Sequence, residues 1–210
     1  MPANTQIDVG VDLDGCVYPF VEVLRDWIHL DANRSFASLP PPTCWHFYDE
    51  QWGFSRDDFY RHLTRGVRSG VIFRSGVPIR GSVKVLHEIA DAGHRIHIIT
   101  ARVAPGAEAV VAESTRWWLA KHDVPYTSLT ISNDKTVVDT DVFVDDSPGN
   151  YAALEAAGSN PWFFHRPWNA SVPGRRVRTW PQFQCVVEEL ALHLDGQAGT
   201  EPAVGDDLGV

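Results

Sequence analysis

From Gly81 onward, short segments with the apolar pattern of strands alternate with longer segments that have the periodicity of helices. Such alternation leaves few folds open, because strands joined through helices pair in parallel and need helices on both faces of the sheet. We therefore expect an α/β protein with a Rossmann-like parallel sheet. The predicted strands lie at residues 7–13, 94–100, 128–132, 141–146 and 159–165, and the predicted helices of this part at 82–93, 107–122 and 181–194.

The alternation is interrupted early, over residues 16–80. A helix is predicted to begin near Pro19, and a second is predicted over residues 55–70 with Ser55 as its N-cap. Between them, residues 35–55 are rich in proline and aromatic residues and have no clear period, which is typical of a loop. The segment is therefore predicted to form a small, mainly helical cap inserted into the main domain.

The domain organisation follows from these patterns. Residues 1–15 and 81–194 are predicted to form the catalytic core, and residues 16–80 the cap. Residues 195–210 are polar, glycine-rich and acidic, a composition that buries little apolar surface. We expect them to form a disordered tail.

Chemically active residue types collect at the ends of the predicted strands. In an open parallel sheet, ligands bind beyond the carboxyl ends of the strands, so side chains placed there are expected to meet. They comprise two acidic pairs, one hydroxyl and one lysine: Asp12 and Asp14, Asp145 and Asp146, Thr100, and Lys135. Carboxylates this close repel one another, which a bound cation would offset.

This set of residue types suits phosphate chemistry. Carboxylate oxygens are ligands that Mg²⁺ prefers, and the cation would screen the charge of an approaching phosphate. One carboxylate could attack phosphorus to form an aspartyl-phosphate, and a second could protonate the leaving alcohol and later activate water. A hydroxyl and an ammonium group would hold the phosphoryl oxygens. The residues therefore predict a Mg²⁺-dependent phosphomonoesterase.

The motifs "DLDGC", "IIT", "NDK" and "VFVDDS", in this order and each at a strand end, resemble the four motifs of the haloacid dehalogenase (HAD) superfamily. A closer resemblance is to the 5′(3′)-deoxyribonucleotidases, through "DKTVV" at 134–138 and "DDSP" at 145–148. An aromatic residue at Phe20 and a tryptophan near Trp45 add to this resemblance, which extends loosely over residues 7–183. It implies a (deoxy)nucleoside monophosphate as substrate.

The resemblance also implies individual roles. Asp12 would be the nucleophile and Asp14 the acid/base. The implied metal ligands are Asp12, the backbone carbonyl of Asp14, Asp146 and, through water, Asp145. The implied phosphate ligands are Thr100, the backbone N–H of Ala101, and Lys135, and the side chains implied to face the base are Phe20 and Trp45.

The chain departs from the family pattern in two places. Ala101-Arg102 stands where the family commonly has Ser-Pro, so one hydroxyl contact to phosphate is missing, and Arg102 is expected to supply a charge there instead. Ser147 stands where the family can have arginine. These differences leave base and sugar preference open.

Two sets of cap residues remain ambiguous. The arginines at positions 61, 65 and 68 have helical spacing and by default form a solvated face, although one could reach a substrate. Most of the aromatic residues between Trp45 and Tyr60 are expected to pack in the cap. Trp117 and Trp118 are expected to lie in the core or on the surface, outside the site.

Other functions were weighed against this one. A phosphatase of the same chemistry acting on a sugar or cofactor phosphate is the nearest alternative, and a phosphotransferase stays open within it. A catalytically silent phosphate-binding module is the alternative from another class, although such proteins usually lose the nucleophile or the lysine. The nine histidines show no HExxH pattern, and no dinucleotide-binding GxGxxG occurs.

Charge and cysteine content bear on partners and compartment. The formal net charge of −9 argues against nucleic acid polymers and anionic membranes as partners. Three widely spaced cysteines suit a reducing compartment, and the N-terminal "MPANTQ" lacks the pattern of a signal peptide, so a cytoplasmic location is expected. A homodimer remains open.

Overall fold

The computed structural model describes residues 5–198. Its centre is a six-stranded sheet in which every pairing is parallel, with the strand order β3-β2-β1-β4-β5-β6. The strands are β1 (Asp8–Val11), β2 (Arg95–Thr100), β3 (Ser128–Ile131), β4 (Val142–Asp145), β5 (Pro161–Phe164) and β6 (Arg176–Val177). The predicted Rossmann-like α/β fold is confirmed.

The helices follow the predicted alternation. They are α1 (Phe20–Asp31), α2 (Phe47–Glu50), α3 (Arg56–Arg68), α4 (Ser82–Asp91), α5 (Glu108–Lys121), α6 (Pro148–Ala156) and α7 (Trp180–Ala198). The predicted N-cap of α3 is confirmed, because the Ser55 side chain accepts a hydrogen bond from the Asp58 backbone N–H. Helix α6 and strand β6 were not predicted, and the short helix α2 lies in the segment predicted as loop.

The order of the strands creates the site. From β1 the chain moves outward through β2 to β3 and then returns to place β4 on the other side of β1. Adjacent connections therefore diverge beyond the carboxyl ends of β1 and β4, where a crevice opens. Asp12 directly follows β1, and Asp145 is the last residue of β4.

The two largest hydrophobic clusters within residues 5–198 account for most of the core. The first packs against the sheet and includes Val9, Ile98, Trp118 and Phe183, all essentially excluded from solvent. The second lies among α1, α3, the segment between them, the turn after α3 and the start of α5: Leu24, Ile28, Leu39, Trp52, Phe54, Phe59, Val67, Ile72, Phe73, Ala107 and Val111. Residues 16–18, which the sequence placed in the cap, pack in the first cluster because the turn after β1 folds back onto the sheet.

The C-terminal helix is longer than predicted. Residues 195–198 were expected to begin a disordered tail, but α7 continues through Ala198. A hydrogen bond from the Thr5 backbone N–H to the Asp195 carboxylate (2.7 Å) ties this last turn to the start of the chain. The rest of the predicted tail, residues 199–210, lies outside the described residues. No helix within residues 5–198 is long and apolar enough to cross a membrane.

Candidate active site

The centre of the site is a buried ion pair between Asp12 and Lys135. The Lys135 Nζ donates to Asp12 Oδ1 at 2.5 Å and to the backbone carbonyl of Ile99, and it lies 3.8 Å from Asp145 Oδ2. Lys135 is only 1% exposed, and Asp12 only 4%. A lysine is almost never buried this deeply unless it is paired, so these contacts account for its position.

The second acidic pair divides into two different environments. Asp145 uses both oxygens within the protein: Oδ1 accepts from the Ser147 backbone N–H (2.8 Å), and Oδ2 accepts from Asn150 Nδ2 (2.9 Å). Ser147 in turn is the N-cap of α6. Asp145 is thus tied to the start of α6, whereas Asp146 lines the crevice.

The turn between Asp12 and Tyr18 depends on Gly15. Gly15 has φ +85°, which L side chains rarely adopt, and a Cβ there would lie 1.9 Å from Asp146 Oδ2. The backbone N–H of Gly15 donates to the Tyr18 carbonyl at 2.8 Å, closing the turn. The glycine in "DLDGC" therefore lets the loop after β1 approach the acidic end of β4.

Arg102 contacts a carboxylate, although the sequence predicted it as a phosphate ligand. Its Nη2 donates to Asp14 Oδ1 at 2.6 Å, and its Nε lies 3.0 Å from Asp14 Oδ2. Nη1 donates to Thr115 Oγ1 at 3.2 Å, and the guanidinium lies over the rings of Tyr18 and Phe73 at 4.5 and 4.4 Å from their centroids. Arg102 is 4% exposed, so its charge serves Asp14 in this arrangement.

The two remaining predicted phosphate ligands lie at the end of β2. Thr100 is fully buried, and its hydroxyl oxygen has no hydrogen-bond partner within the described part of the chain. A buried hydroxyl without a partner is costly, and an oxygen of a bound phosphate would remove that cost. Ala101 follows it and lines the crevice.

The donor set suits a cation. Oxygen atoms of Asp12 and Asp146 and the sulfur of Cys16 all lie within 4.8 Å of one another. Two carboxylates of different strands facing a common point are the ligand type of Mg²⁺, whereas a thiol is not. The carboxylates therefore fit the predicted metal, and the buried Cys16 packs in the first hydrophobic cluster.

Burial disfavours negative charge throughout this cluster. It raises the pKa of Asp12 to about 7, and the neighbouring Asp145 and Asp14 act in the same direction, while the Lys135 ammonium opposes them. Burial and the charge of Asp145 likewise hold the pKa of Asp146 well above its usual range. The pKa of Lys135 is raised, because the attraction of Asp12 and Asp145 outweighs the cost of burying the ammonium. The carboxylates of the site therefore repel one another when ionised, and a bound cation would offset this repulsion.

A cavity of about 810 Å³ opens above the acidic cluster, between the sheet and the cap. Asp12, Asp14 and Asp146 line it together with both predicted base-facing residues, Phe20 and Trp45. Trp45 is 46% exposed, so a large part of its ring is available for contact. The cavity is also lined by Phe73, Arg56 and Trp168, for which the sequence predicted no role in the site.

The α3 arginines at positions 61, 65 and 68 have different surroundings. Arg61 pairs with Asp58 at 2.9 Å, and Arg65 pairs with Asp31 at 2.6 Å. Arg68 lines the cavity, and no carboxylate lies within ion-pair distance of it in the part of the chain that the structure describes. Trp118 is buried in the core and Trp117 is 44% exposed on the surface, as predicted.

One segment of the site, after β5, was not predicted from the sequence. Arg166 Nε donates to the Gly15 carbonyl at 2.6 Å, and Trp168 Nε1 donates to Asp146 Oδ2 at 3.1 Å. Asn169 Nδ2 donates to the Asp146 carbonyl at 2.9 Å. The segment follows β5, outside the four motifs, and the only signal in the sequence is its position after a strand end.

Comparisons with known proteins found a matching family and a similar protein. Residues 5–192 match the model of a family described as 5′ nucleotidase, deoxy (pyrimidine), cytosolic type C protein. A protein of Chlorobaculum tepidum named "Putative 5′(3′)-deoxyribonucleotidase" is 31% identical over 180 residues, which cover 85% of this chain and 88% of that protein. Both likenesses extend over the core and the cap.

Solved structures share the fold at low sequence identity. A HAD-superfamily hydrolase of subfamily IA from Geobacter sulfurreducens has a TM-score of 0.53 at 13% identity, over 87% of this chain and 96% of that one. A "Putative Phosphatase" from Clostridium difficile has a TM-score of 0.59 at 15% identity, over 87% and 99% of the two chains. The family match and the relative together show that the chain belongs to the family of cytosolic type C deoxy(pyrimidine) 5′ nucleotidases and is a phosphatase.

Proposed function

We propose that the protein is a Mg²⁺-dependent 5′(3′)-deoxyribonucleotidase that removes phosphate from (deoxy)nucleoside monophosphates through an aspartyl-phosphate. One observation carries the proposal: the carboxylates suited to a cation and to phosphoryl transfer line the same cavity as the aromatic side chains Phe20 and Trp45. Aromatic rings stack with nucleobases, so both ends of a nucleotide find suitable surfaces there.

Asp12 is proposed as the nucleophile. Its carboxylate oxygen would attack phosphorus as the bond from phosphorus to the substrate oxygen breaks, and Asp14 would give a proton to the departing alkoxide. Water would then attack the phosphorus, pass its proton to Asp14 and release inorganic phosphate, which regenerates the Asp12 carboxylate. The bidentate contact of Arg102 supports a role in orienting Asp14 rather than in binding phosphate.

Phosphate binding is assigned to residues at the neighbouring strand ends. Lys135 would neutralise charge on the transferring oxygens, and the unpartnered hydroxyl of Thr100 and the backbone N–H of Ala101 would donate hydrogen bonds to them. Asp12, Asp146 and the Asp14 carbonyl would hold Mg²⁺, which supplies positive charge against the phosphate and the carboxylates. Asp145 would act on the metal through water, because its own oxygens are engaged with Ser147 and Asn150.

The cap is proposed to choose the substrate. Residues 16–80 would exclude bulk water above the reacting phosphate, and Phe20 and Trp45 would contact the base. A core made of residues 1–15 and 81–194 would carry the chemistry. This division leaves a sugar phosphate as the alternative substrate, since the chemistry at Asp12 does not depend on the leaving group.

The test is phosphate release from a panel of ribo- and deoxyribonucleoside 5′- and 3′-monophosphates and sugar phosphates, each with and without Mg²⁺. Preference for deoxypyrimidine monophosphates that depends on Mg²⁺ is the expected result. Activity confined to sugar phosphates would refute the proposed nucleotidase activity but would be consistent with a phosphatase. Trapping of a phosphorylated Asp12 by rapid quench and mass spectrometry would test the intermediate, and its absence in turning-over enzyme would refute the covalent route.

A further inference from the structure

The segment Arg166–Asn169 fixes the backbone of a proposed metal ligand. Asn169 is fully buried, and its Nδ2 donates to the carbonyls of Asp146 and Phe164, both at 2.9 Å. Its Oδ1 accepts from the Arg166 backbone N–H at 3.0 Å, which closes the short helix Pro167–Asn169. These hydrogen bonds hold the backbone of Asp146 in place and so limit where its carboxylate can lie.

Trp168 donates a hydrogen bond to one oxygen of the Asp146 carboxylate and makes no hydrogen bond to the other. Its indole N–H donates to Asp146 Oδ2 at 3.1 Å, and its ring lines the cavity. Gly15 lies beside the same oxygen: the place that a Cβ would take is 1.9 Å from Oδ2 and 3.3 Å from Oδ1, and only the absence of a Cβ leaves room for Oδ2 there. Oδ1 accepts no hydrogen bond within the described part of the chain and is therefore the oxygen left for a cation.

The number of oxygens that a carboxylate offers discriminates between divalent cations. Mg²⁺ demands near-ideal octahedral geometry with short bonds, which a carboxylate satisfies through one oxygen, whereas Ca²⁺ takes six to eight oxygens and accepts both oxygens of one carboxylate. We propose that Trp168 is a positioning residue that restricts Asp146 to coordination through one oxygen and thereby favours Mg²⁺ over Ca²⁺. This inference rests on the proposed Mg²⁺ site.

The chain offers a matched control for removing the indole N–H. Trp162 lies on β5, and its Nε1 donates to a side-chain oxygen, Asn160 Oδ1, at 3.2 Å, but Trp162 does not line the active-site cavity. Trp168→Phe and Trp162→Phe therefore delete the same group, and only the first deletion touches a proposed metal ligand. Both variants are made in the full chain.

The experiment measures binding of Mg²⁺ and of Ca²⁺ to each protein by isothermal titration calorimetry. Because partners of metal ligands typically contribute 10- to 100-fold in affinity, we expect Trp168→Phe to weaken Mg²⁺ binding by about tenfold or more. Ca²⁺ binding is expected to weaken less or to tighten, so that the preference for Mg²⁺ falls. Trp162→Phe should leave both affinities unchanged.

Each other outcome overturns the inference. Unchanged Mg²⁺ affinity in Trp168→Phe, or equal loss of Mg²⁺ and Ca²⁺ affinity, would refute the role in selectivity while the proposed function stands. Absence of Mg²⁺ binding to the wild-type protein would refute both. If Trp168→Phe fails to fold, NMR of the wild-type indole N–H decides: protection from solvent exchange in the Mg²⁺-bound protein supports the inference, and rapid exchange overturns it.

Discussion

Replacing Asp12 by asparagine should stabilise the metal-free protein while abolishing its activity. The substitution keeps the shape of the side chain and an oxygen that can accept from Lys135, but it removes one charge from a buried cluster. That charge is unfavourable in the folded state, since burial and the neighbouring Asp145 and Asp14 raise the pKa of Asp12 from 3.8 to about 7. Function therefore maintains a carboxylate that folding alone would not favour.

The magnitude follows from the two pKa values. Between pH 3.8 and about 7 the unfolded state loses the proton of Asp12 and the folded state keeps it, so stability falls by about 1.4 kcal/mol for each pH unit. Above about pH 7 both states are ionised and the cost is constant at about 4 kcal/mol. Asparagine carries no charge and has none of this cost. The free energy of unfolding of Asp12→Asn should therefore exceed that of the wild type by about 4 kcal/mol at pH 8 and by less than about 2 kcal/mol at pH 5.

Urea denaturation in EDTA at several pH values between 5 and 8 measures this difference. Asp139→Asn serves as the control, because Asp139 is an exposed carboxylate outside the cluster. Adding Mg²⁺ should shrink the advantage of Asp12→Asn, since a cation that binds the folded wild type stabilises it by mass action. Phosphate release by Asp12→Asn should be undetectable in the presence of Mg²⁺.

Two results would refute this reasoning. The first is an Asp12→Asn protein that is less stable than the wild type at pH 8 in EDTA, which would mean that the pair with Lys135 outweighs the burial of the charge. The second is a stability difference that is the same at pH 5 and pH 8, which would mean that Asp12 does not titrate between these values. Residual turnover of more than a few per cent of wild-type activity would separately exclude Asp12 as the nucleophile.

Three further perturbations test other parts of the site. Gly15→Ala should lower the free energy of unfolding by about 2 kcal/mol or more in urea titrations, because the added Cβ meets Asp146 at 1.9 Å. Gly53 also has positive φ (+65°), but a Cβ there would meet open space, so Gly53→Ala should lower the free energy of unfolding by less. Arg68→Gln should raise KM for nucleotides with little change in kcat, and Arg61→Gln, outside the cavity, should change neither. Removal of divalent cations with EDTA should abolish phosphate release, and added Mg²⁺ should restore it.

Much of the fold was predictable because its signals are local. The helix that begins at Phe20, the cap of α3 at Ser55 and the strands β1, β2 and β4 all have clear periods or a specific capping residue. Parallel topology then followed from alternation alone, and with it the meeting of the strand ends. Residues placed directly at those ends could therefore be predicted from spacing.

The elements that escaped prediction lack such signals. Helix α6 has nine residues, is rich in alanine and buries only Tyr151 and Leu154, so its apolar period is weak. Strand β6 has two residues and depends on its neighbour β5 for pairing. The helical turn at residues 195–198 was missed because its composition indicates disorder, whereas its contact with Thr5 joins opposite ends of the chain.

Positions at strand ends can be predicted, but the partners of long side chains cannot, and Arg102 illustrates the difference. The sequence places an arginine beside Thr100, a predicted phosphate ligand, which favours a phosphate contact. The choice of Asp14 instead depends on three residues far apart in the chain, since Thr115 accepts from Nη1 and the rings of Tyr18 and Phe73 cover the guanidinium. Tyr18 belongs to the first hydrophobic cluster and Phe73 to the second. The guanidinium that contacts the proposed acid/base therefore lies where the two clusters meet, so the packing of both clusters bears on the orientation of Asp14.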